Sequence, residues 1–388
     1  MPGIQVFTHI NRLVQGRGAV AQLAEEVARF QARKVLVVTD PGLVATGIPA
    51  RVVEALGGYS THVYSDVEPD PSIQTVERCT AFVRQQGFDL VIGLGGGSAI
   101  DTAKCAAALA SNEGAVESYL GIEKIPAAGL PKIIIPTTAG TGSEVTNVAV
   151  LSLKDQHTKK GIVSRQLFAD VAILDPELTL GLPAAITAAT GMDALTHAIE
   201  AYVSRFHQPL TDHFALEAIR LIGAHLRTAV HHGENLDARE AMLTASLYAG
   251  LAFGSAATGM VHGLAMPLGG QFEVPHGVAN AMLLPYVMRF NLVAALERYR
   301  DIAVALGEPV AGLSVRDGAE RSLSAVRQLA HDVGIPTLRE MNIPPSAIDA
   351  LARDGLSNSR QVLPNPRKVT YEGLVGILEE AFAAPASR

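Results

Sequence analysis

Cysteine is almost missing from this chain: 388 residues carry two, Cys79 and Cys105. Both fall in apolar helical patterns, and neither has a partner at a metal or redox spacing. That argues against thiol catalysis and against a cysteine metal site. It fits buried free thiols in a reducing cytoplasm, the expected location. Runs of one charge are missing as well. Lys and Arg number 31 against 38 Asp and Glu, for a net charge of −7 spread along the chain. A nucleic-acid partner would need a basic face, so none is expected, and nothing marks a preference for anionic membranes. No basic segment followed by an apolar core opens the sequence, so no secretory leader is expected. One stretch, residues 242–272, has no Asp, Glu, Lys or Arg and is long enough to span a bilayer. It is rich in Gly and Ser/Thr, contains His262 and has no second such segment beside it. A helix buried in a globular domain is the expectation, with no membrane partner.

What the chain does have is apolar content: 48% hydrophobic residues and a mean hydropathy of +0.24. Its length allows two domains with large cores. IQVFTH near the start reads as a short strand, followed by an amphipathic helix over 19–30. KVLVVTD (34–40) is a β-branched run closed by a turn, the pattern of a buried parallel strand. A further strand at 61–67 leads to the PDPS turn (69–72) and a helix from Ile73 to Gln86. Residues 88–110 then give strand, glycine-rich turn and alanine-rich helix, and 132–146 repeat the strand-and-turn theme. Strands alternating with helices predict an open α/β sheet with ligands at the strand carboxyl ends. After VAILDPELTLGLP (171–183) β-branched runs vanish and helical periodicity takes over. The expected architecture is α/β: a Rossmann-like parallel-sheet domain over 1–185, then an all-helical domain over 186–388. The active site is expected in the cleft between them.

GLGGGSAIDTAK (93–104) follows a strand and opens a helix. Gly95, Gly96 and Gly97 let backbone N–H groups approach a phosphate, and the helix N-terminus offers free donors and a positive dipole end. Ser98 is placed to cap that helix, with Asp101 as its capping-box partner. The spacing is neither the usual dinucleotide fingerprint, whose last glycine would fall at Ser98, nor a P-loop. PTTAGTGSE (136–144) supplies a second polar loop, in which Thr137, Thr138 and Thr141 can hold phosphate or ribose oxygens. Asp40, at a strand end, suits an adenosine 2′-hydroxyl and would repel a 2′-phosphate. Asp-Pro-Gly also starts turns with no ligand at all.

The second half holds a metal-type donor set. Asp193 and His197 sit four apart in a helical run and share a face. His262 and His276 follow in nearly charge-free surroundings. One carboxylate and three imidazoles suit a divalent first-row ion such as Fe(II) or Zn(II). Glu200, near His197 on the same face, reads as ordinary surface charge.

These segments together resemble the iron-containing (group III) alcohol dehydrogenases. GGGSAIDTAK (95–104), PTTAGTGSEVT (136–146), GMDALTHAIEAYVS (191–204) and MVHG with PHGVANAMLLP (260–285) carry the likeness. PDPS (69–72), AILDPELT (172–179) and NPR (365–367) add to it. The resemblance implies a dehydroquinate-synthase-like fold, NAD (NADP less so), and a catalytic Fe(II) or sometimes Zn(II). Carried across, it puts the metal ligands on Asp193, His197, His262 and His276, with no catalytic residue beyond them. It puts the pyrophosphate loop on Gly95–Ser98, the second cofactor loop on Thr137, Thr138 and Thr141, and the ribose acid on Asp40. Lys159 matches a lysine near the nicotinamide, and Phe253 an aromatic on the substrate side. The resemblance also implies a homodimer or larger homo-oligomer.

One departure bears on chemistry. Many members read VHxxAH, where the second histidine can relay a proton; here the substrate-side position is Met266, which cannot. Either a hydroxyl, a water or the cofactor ribose then carries it, or activity is altered. The expected function is a metal-dependent, NAD-linked interconversion of a small alcohol and its aldehyde or ketone. The alternatives are a metal-dependent lyase or a zinc polyol dehydrogenase of the same fold, and a nucleotide-binding protein that has lost its chemistry.

Overall fold

The β-branched runs of the sequence become buried strands in the computed structural model, which describes residues 4–156 and 158–384. Nine strands occur among the described residues: β1 (Leu13–Gln15), β2 (Lys34–Val38), β3 (Ser60–Tyr64), β4 (Leu90–Gly95), β5 (Gly121–Ile122), β6 (Lys132–Pro136), β7 (Val148–Leu153), β8 (Thr158–Val163) and β9 (Val171–Leu174). Six form one parallel sheet in the order β1-β9-β6-β4-β2-β3. Its central strands carry apolar side chains on both faces because both faces are covered. Val35 and Val37 of β2 point into one core with Leu23, Val27, Val52 and Leu56. Leu36 and Val38, one residue out of phase, enter the other with Cys79, Val83, Ala103 and Ala106. A smaller sheet, β5-β8-β7, packs its apolar face on Ile73, Cys105 and Leu109.

The Ile73–Gln86 helix has the expected bounds. Ser72 caps it by accepting from the Thr75 N–H, and Gly87 ends it at φ 64°. The start of the chain differs from expectation. Residues 4–10 form no strand, and the first strand is Leu13–Gln15. The IQVFTH segment is instead held by side chains: Phe7 stacks on Phe214 at 6.1 Å, and the Gln208 amide donates to the Val6 carbonyl at 3.1 Å. The expected helix over 19–30 is a 3-10 turn, Ala19–Gln22, leading into a short α-helix, Leu23–Ala28.

The described residues divide into two compact units. His9–Leu182 makes up the sheet unit; the chain from Pro183 onward makes up the helical unit and includes residues 4–8. In the latter, the helices Ala184–Val203, Pro209–His231 and Leu236–Ala256 pack on one another, and His276–Asn291 packs against the first of them and against Met260–Phe272. The charge-free stretch falls in two helices, Leu236–Ala256 from its second turn onward and Met260–Phe272, bent by 103°. The break falls at Ala257, which has φ 62°, and Gly259. Among the described residues no single helix is long and apolar enough to cross a membrane. The buried face of this pair carries His262, so the bend decides where that imidazole lies.

Candidate metal and cofactor sites

In the sheet unit, β4 and β6 lie side by side with Gly95 opposite Pro136, and the Thr137 N–H donates to the Gly95 carbonyl at 2.9 Å. This register brings the two polar loops together. Gly95 has φ +144°, and a Cβ there would stand 3.0 Å from the Ala99 Cβ and 3.4 Å from Asp40 Oδ2. A Cβ on Gly97 would stand 2.9 Å from the Thr141 methyl, and one on Gly96 3.4 Å from the Thr138 methyl. The glycine turn, Thr138, Thr141 and Asp40 therefore form one cluster. The Gly97–Leu109 helix begins there with no side-chain cap, leaving its first N–H groups to a ligand. Thr138 Oγ1, beside Gly96, is buried without a hydrogen-bond partner among the described residues. A turn whose Gly95 and Gly97 leave little room for a Cβ, with an unsatisfied hydroxyl beside it, fits a dinucleotide.

Several roles differ from the sequence reading. Ser98 does not cap the helix; Gly96 occupies that position, and Ser98 Oγ accepts from the Asp70 N–H at 3.2 Å. Asp101 is not its capping partner. Its carboxylate accepts from Ser143 Oγ at 2.5 Å and from the Val150 N–H at 2.9 Å, which ties the helix to the second loop. Lys104, fully buried, completes that tie by donating to the Ser143 carbonyl, Ser143 Oγ and the Val148 carbonyl at 2.9, 2.8 and 2.6 Å. Asp40 does cap a short helix, Pro41–Val44, accepting from the Leu43 N–H through Oδ1, while Oδ2 faces Gly95. Lys159 is buried with Nζ 2.7 Å from Asp70 Oδ1, so it braces the PDPS turn on which Ser98 also rests. Glu144 lies in the second loop with Oε1 unpartnered among the described residues, and burial pushes its pKa up to about 7.

In the helical unit, three helices bring donors to one point. Asp193 and His197 come from the middle of Ala184–Val203, His262 from the first turn of Met260–Phe272, and His276 from the first residue of His276–Asn291. Asp193, His262 and His276 each offer one atom, and these atoms lie within 4.8 Å of one another. Asp193 Oδ1 is 3.9 Å from His262 Nε2 and 3.8 Å from His276 Nε2. His197 lies against this group without joining it. Its Nδ1 is 4.0 Å from Asp193 Oδ2, and its ring stacks on Phe253 at 4.2 Å and on His262 at 4.6 Å. Burial raises the pKa of Asp193, but attraction to His197, His276 and His262 and a hydrogen bond from Asn280 outweigh it. The carboxyl is thus held below its ordinary value.

Two residues at this site escaped the sequence reading. Glu200 is not surface charge: it is 5% exposed, and Oε2 accepts from His262 Nδ1 at 2.6 Å while Oε1 accepts from the Val261 N–H at 2.6 Å. A proton on Nδ1 leaves the Nε2 lone pair of His262 directed at the donor group. Glu200 lies seven residues, two turns, beyond Asp193, so the helical period was the signal available. Asn280, four residues after His276, is fully buried and places its amide nitrogen 2.7 Å from Asp193 Oδ1. A carboxylate oxygen and two imidazole nitrogens, one oriented from behind by a carboxylate, fit a divalent first-row cation. Met266, one turn after His262, takes an N–H from Asn358 on its sulfur at 3.3 Å.

The family model described as iron-containing alcohol dehydrogenase matches residues 11–176, and that of the C-terminal part of the Fe-containing alcohol dehydrogenase family matches 187–382. The chain is 48% identical to long-chain-alcohol dehydrogenase 1 of Geobacillus thermodenitrificans (strain NG80-2), over 95% of this chain and 94% of that one. Among solved structures, a 1,3-propanediol oxidoreductase superposes with a TM-score of 0.95 at 40% identity, covering 98% of this chain and all (100%) of the other. A sulfoacetaldehyde reductase from Bifidobacterium kashiwanohense, solved in complex with NAD+, superposes with a TM-score of 0.90 at 32% identity over 99% and 100%.

Proposed function

The chain belongs to the iron-containing alcohol dehydrogenase family and is an NAD-linked oxidoreductase interconverting alcohols with their carbonyl compounds; from that premise we propose its metal, its site residues and its substrate class. Asp193, His262 and His276 hold an Fe(II) ion, with His197, fixed between Asp193 and Phe253, as the fourth ligand. The observation that carries this is the convergence of three donor atoms with Glu200 locking the tautomer of His262. When bound, the cation supplies a Lewis acid for the alcohol or carbonyl oxygen, and the nicotinamide supplies the hydride acceptor or donor.

The protein's own groups do the rest. The turn at Gly95–Gly97 and the first N–H groups of its helix receive the pyrophosphate, with Ser98 bracing that turn through the Asp70 N–H. Thr137, Thr138 and Thr141 line the second side. Asp40 Oδ2, beside Gly95, favours a free 2′-hydroxyl and so NAD over NADP. Lys159 holds the PDPS turn near this loop through Asp70. Phe253 and Met266 form the substrate side. Neither carries a charge and Met266 moves no proton, which favours an un-ionised alcohol over an acid-bearing aldehyde. The named substrate of the long-chain-alcohol relative supports the same choice.

A panel of primary alcohols, diols and acid-bearing aldehydes, run both ways with NAD and NADP after anaerobic loading with Fe(II) or Zn(II), tests this reading. Uncharged alcohols with NAD and iron should give the largest kcat/KM; a preference for zinc, NADP or anionic aldehydes would overturn the corresponding part. A homodimer or larger assembly in the cytoplasm belongs to the same proposal, supported by two buried free thiols for the compartment, with light scattering as the check on mass.

A further inference from the structure

Asn280 makes contacts at the metal site that a simple bystander would not. Its side chain is fully buried on the His276–Asn291 helix. The amide nitrogen lies 2.7 Å from Asp193 Oδ1, 3.2 Å from His262 Nε2 and 3.1 Å from His276 Nε2. These are the three atoms that form the donor group. An amide nitrogen has two hydrogens; with one serving Asp193, the other is left for the two imidazoles, whose Nε2 atoms accept it in the tautomer that can bind a metal. The carbonyl end, Oδ1, is buried with no partner among the described residues. Leaving a buried acceptor unmade is costly, since the group has given up its water. The residue thus has its donating end committed to the ligand atoms and its accepting end unsatisfied.

Lone-pair accounting shows what this means for a cation. A carboxylate oxygen has two lone pairs and can accept from Asn280 while it binds a metal. A neutral imidazole has one available ring lone pair. Glu200 fixes the proton of His262 on Nδ1, so the Nε2 pair is the only one that ring can give. That pair cannot serve the amide and a cation together. The contacts from Asn280 to the two Nε2 atoms must therefore break when a metal binds, and the bond to Asp193 loses strength as the carboxylate shares its charge.

We propose that Asn280 tunes metal affinity by competing with the cation: its amide stabilises the ligand set before loading and gives up both imidazoles on loading. This rests on the assignment of Asp193, His262 and His276 as ligands. By linkage, a contact present only in the metal-free protein lowers metal affinity by its own free energy, and removing it tightens binding. The device keeps a buried carboxylate and two imidazoles satisfied in newly folded protein and keeps the ion exchangeable.

The test titrates Zn(II) alone, in competition with a chromophoric chelator, into metal-free wild type, Asn280→Ala and His276→Ala, with thermal melts of each protein with and without the ion. Wild type should bind one equivalent and His276→Ala should lose it; failure of either would overturn the ligand assignment and this proposal with it. With those controls met, Asn280→Ala should bind up to roughly tenfold more tightly, as expected from removing hydrogen bonds to neutral imidazoles that are made only before loading. Its metal-free Tm should fall by more than its zinc-loaded Tm. Unchanged or weaker binding would overturn the proposal alone, because a residue that merely supports the ligands would loosen the site when removed. Asn280→Ser, smaller but polar, replaces the alanine variant if that fails to fold, and the same sign is expected.

Discussion

Glu200 and Glu144 are two buried carboxylates with opposite circumstances. Glu200 has both oxygens occupied, by His262 and by the Val261 N–H, and acts through the imidazole it holds. Replacing it with Gln keeps the shape and removes the charge that fixes the tautomer. We expect Glu200→Gln to lose about 10–100-fold in metal affinity, read by chelator competition, with the fold retained. Glu144 has an oxygen with no partner among the described residues, and burial raises its pKa from 4.5 to about 7. A raised folded-state pKa means the folded form binds the proton more tightly. The stability this contributes is whole below the unfolded value and is lost as pH rises through about 7. Glu144→Gln should therefore gain on wild type as pH climbs from about 5 to about 8, by on the order of 1–3 kcal/mol in denaturant melts. A flat difference across that range would remove the carboxyl from the account. Neither environment could be read from the sequence, because both depend on which side chains a distant helix or loop delivers.

At the scale of elements, helix starts and strand ends do the positioning. His276 is the first residue of its helix, so its ring is aimed by the path of one turn. Gly277 makes that path close: a Cβ there would come 2.4 Å from the Ala189 carbonyl oxygen, a backbone atom of the Ala184–Val203 helix. Gly277→Ala must push the two helices apart, and we expect a loss of about 1–3 kcal/mol in stability together with weaker metal retention, measured by chemical unfolding and metal analysis. Periodicity told much at this scale. The Ile73–Gln86 helix and strand β2 lay where the pattern and turn residues put them, because capping and β-branching are local effects. The opening strand was misread for the same reason. IQVFTH has strand composition, but its aromatic packs on Phe214 of the helical unit and its backbone finds no ladder. The charge-free stretch gave no sign of its 103° bend beyond Gly259, since hydropathy does not register direction.

For the whole molecule, the function proposed above gives the sheet unit the cofactor and the helical unit the metal. The two cysteines sit in the sheet unit, fully buried among helix and strand side chains. Burial pushes the Cys79 thiol up to about 12 and raises Cys105 as well, by burial first and then by the charge of Asp101. Neither should react with a thiol reagent in the native protein at neutral pH, and two equivalents should appear only on unfolding. Fast labelling of native protein would show that the unit opens readily. Removing the metal should lower the melting temperature of the protein while NAD affinity, assigned above to the sheet unit, stays nearly unchanged; His262→Ala should behave the same way and lose turnover.

By itself the sequence determined the alternation of strands and helices and the glycine turn at Gly95–Gly97, and it offered Asp193, His197, His262 and His276 as candidate donors. These rest on residue type and local period, which a chain carries along its length. Only the tertiary structure decided that three of those donors meet, that Glu200 stands behind His262, and that Asn280 reaches all three donor atoms. It also decided that Ser98 and Asp101 serve neighbouring loops and not their own helix cap. The physical reason is that such roles are set by distance between segments far apart in the chain, and distance is fixed by packing, which no local pattern contains.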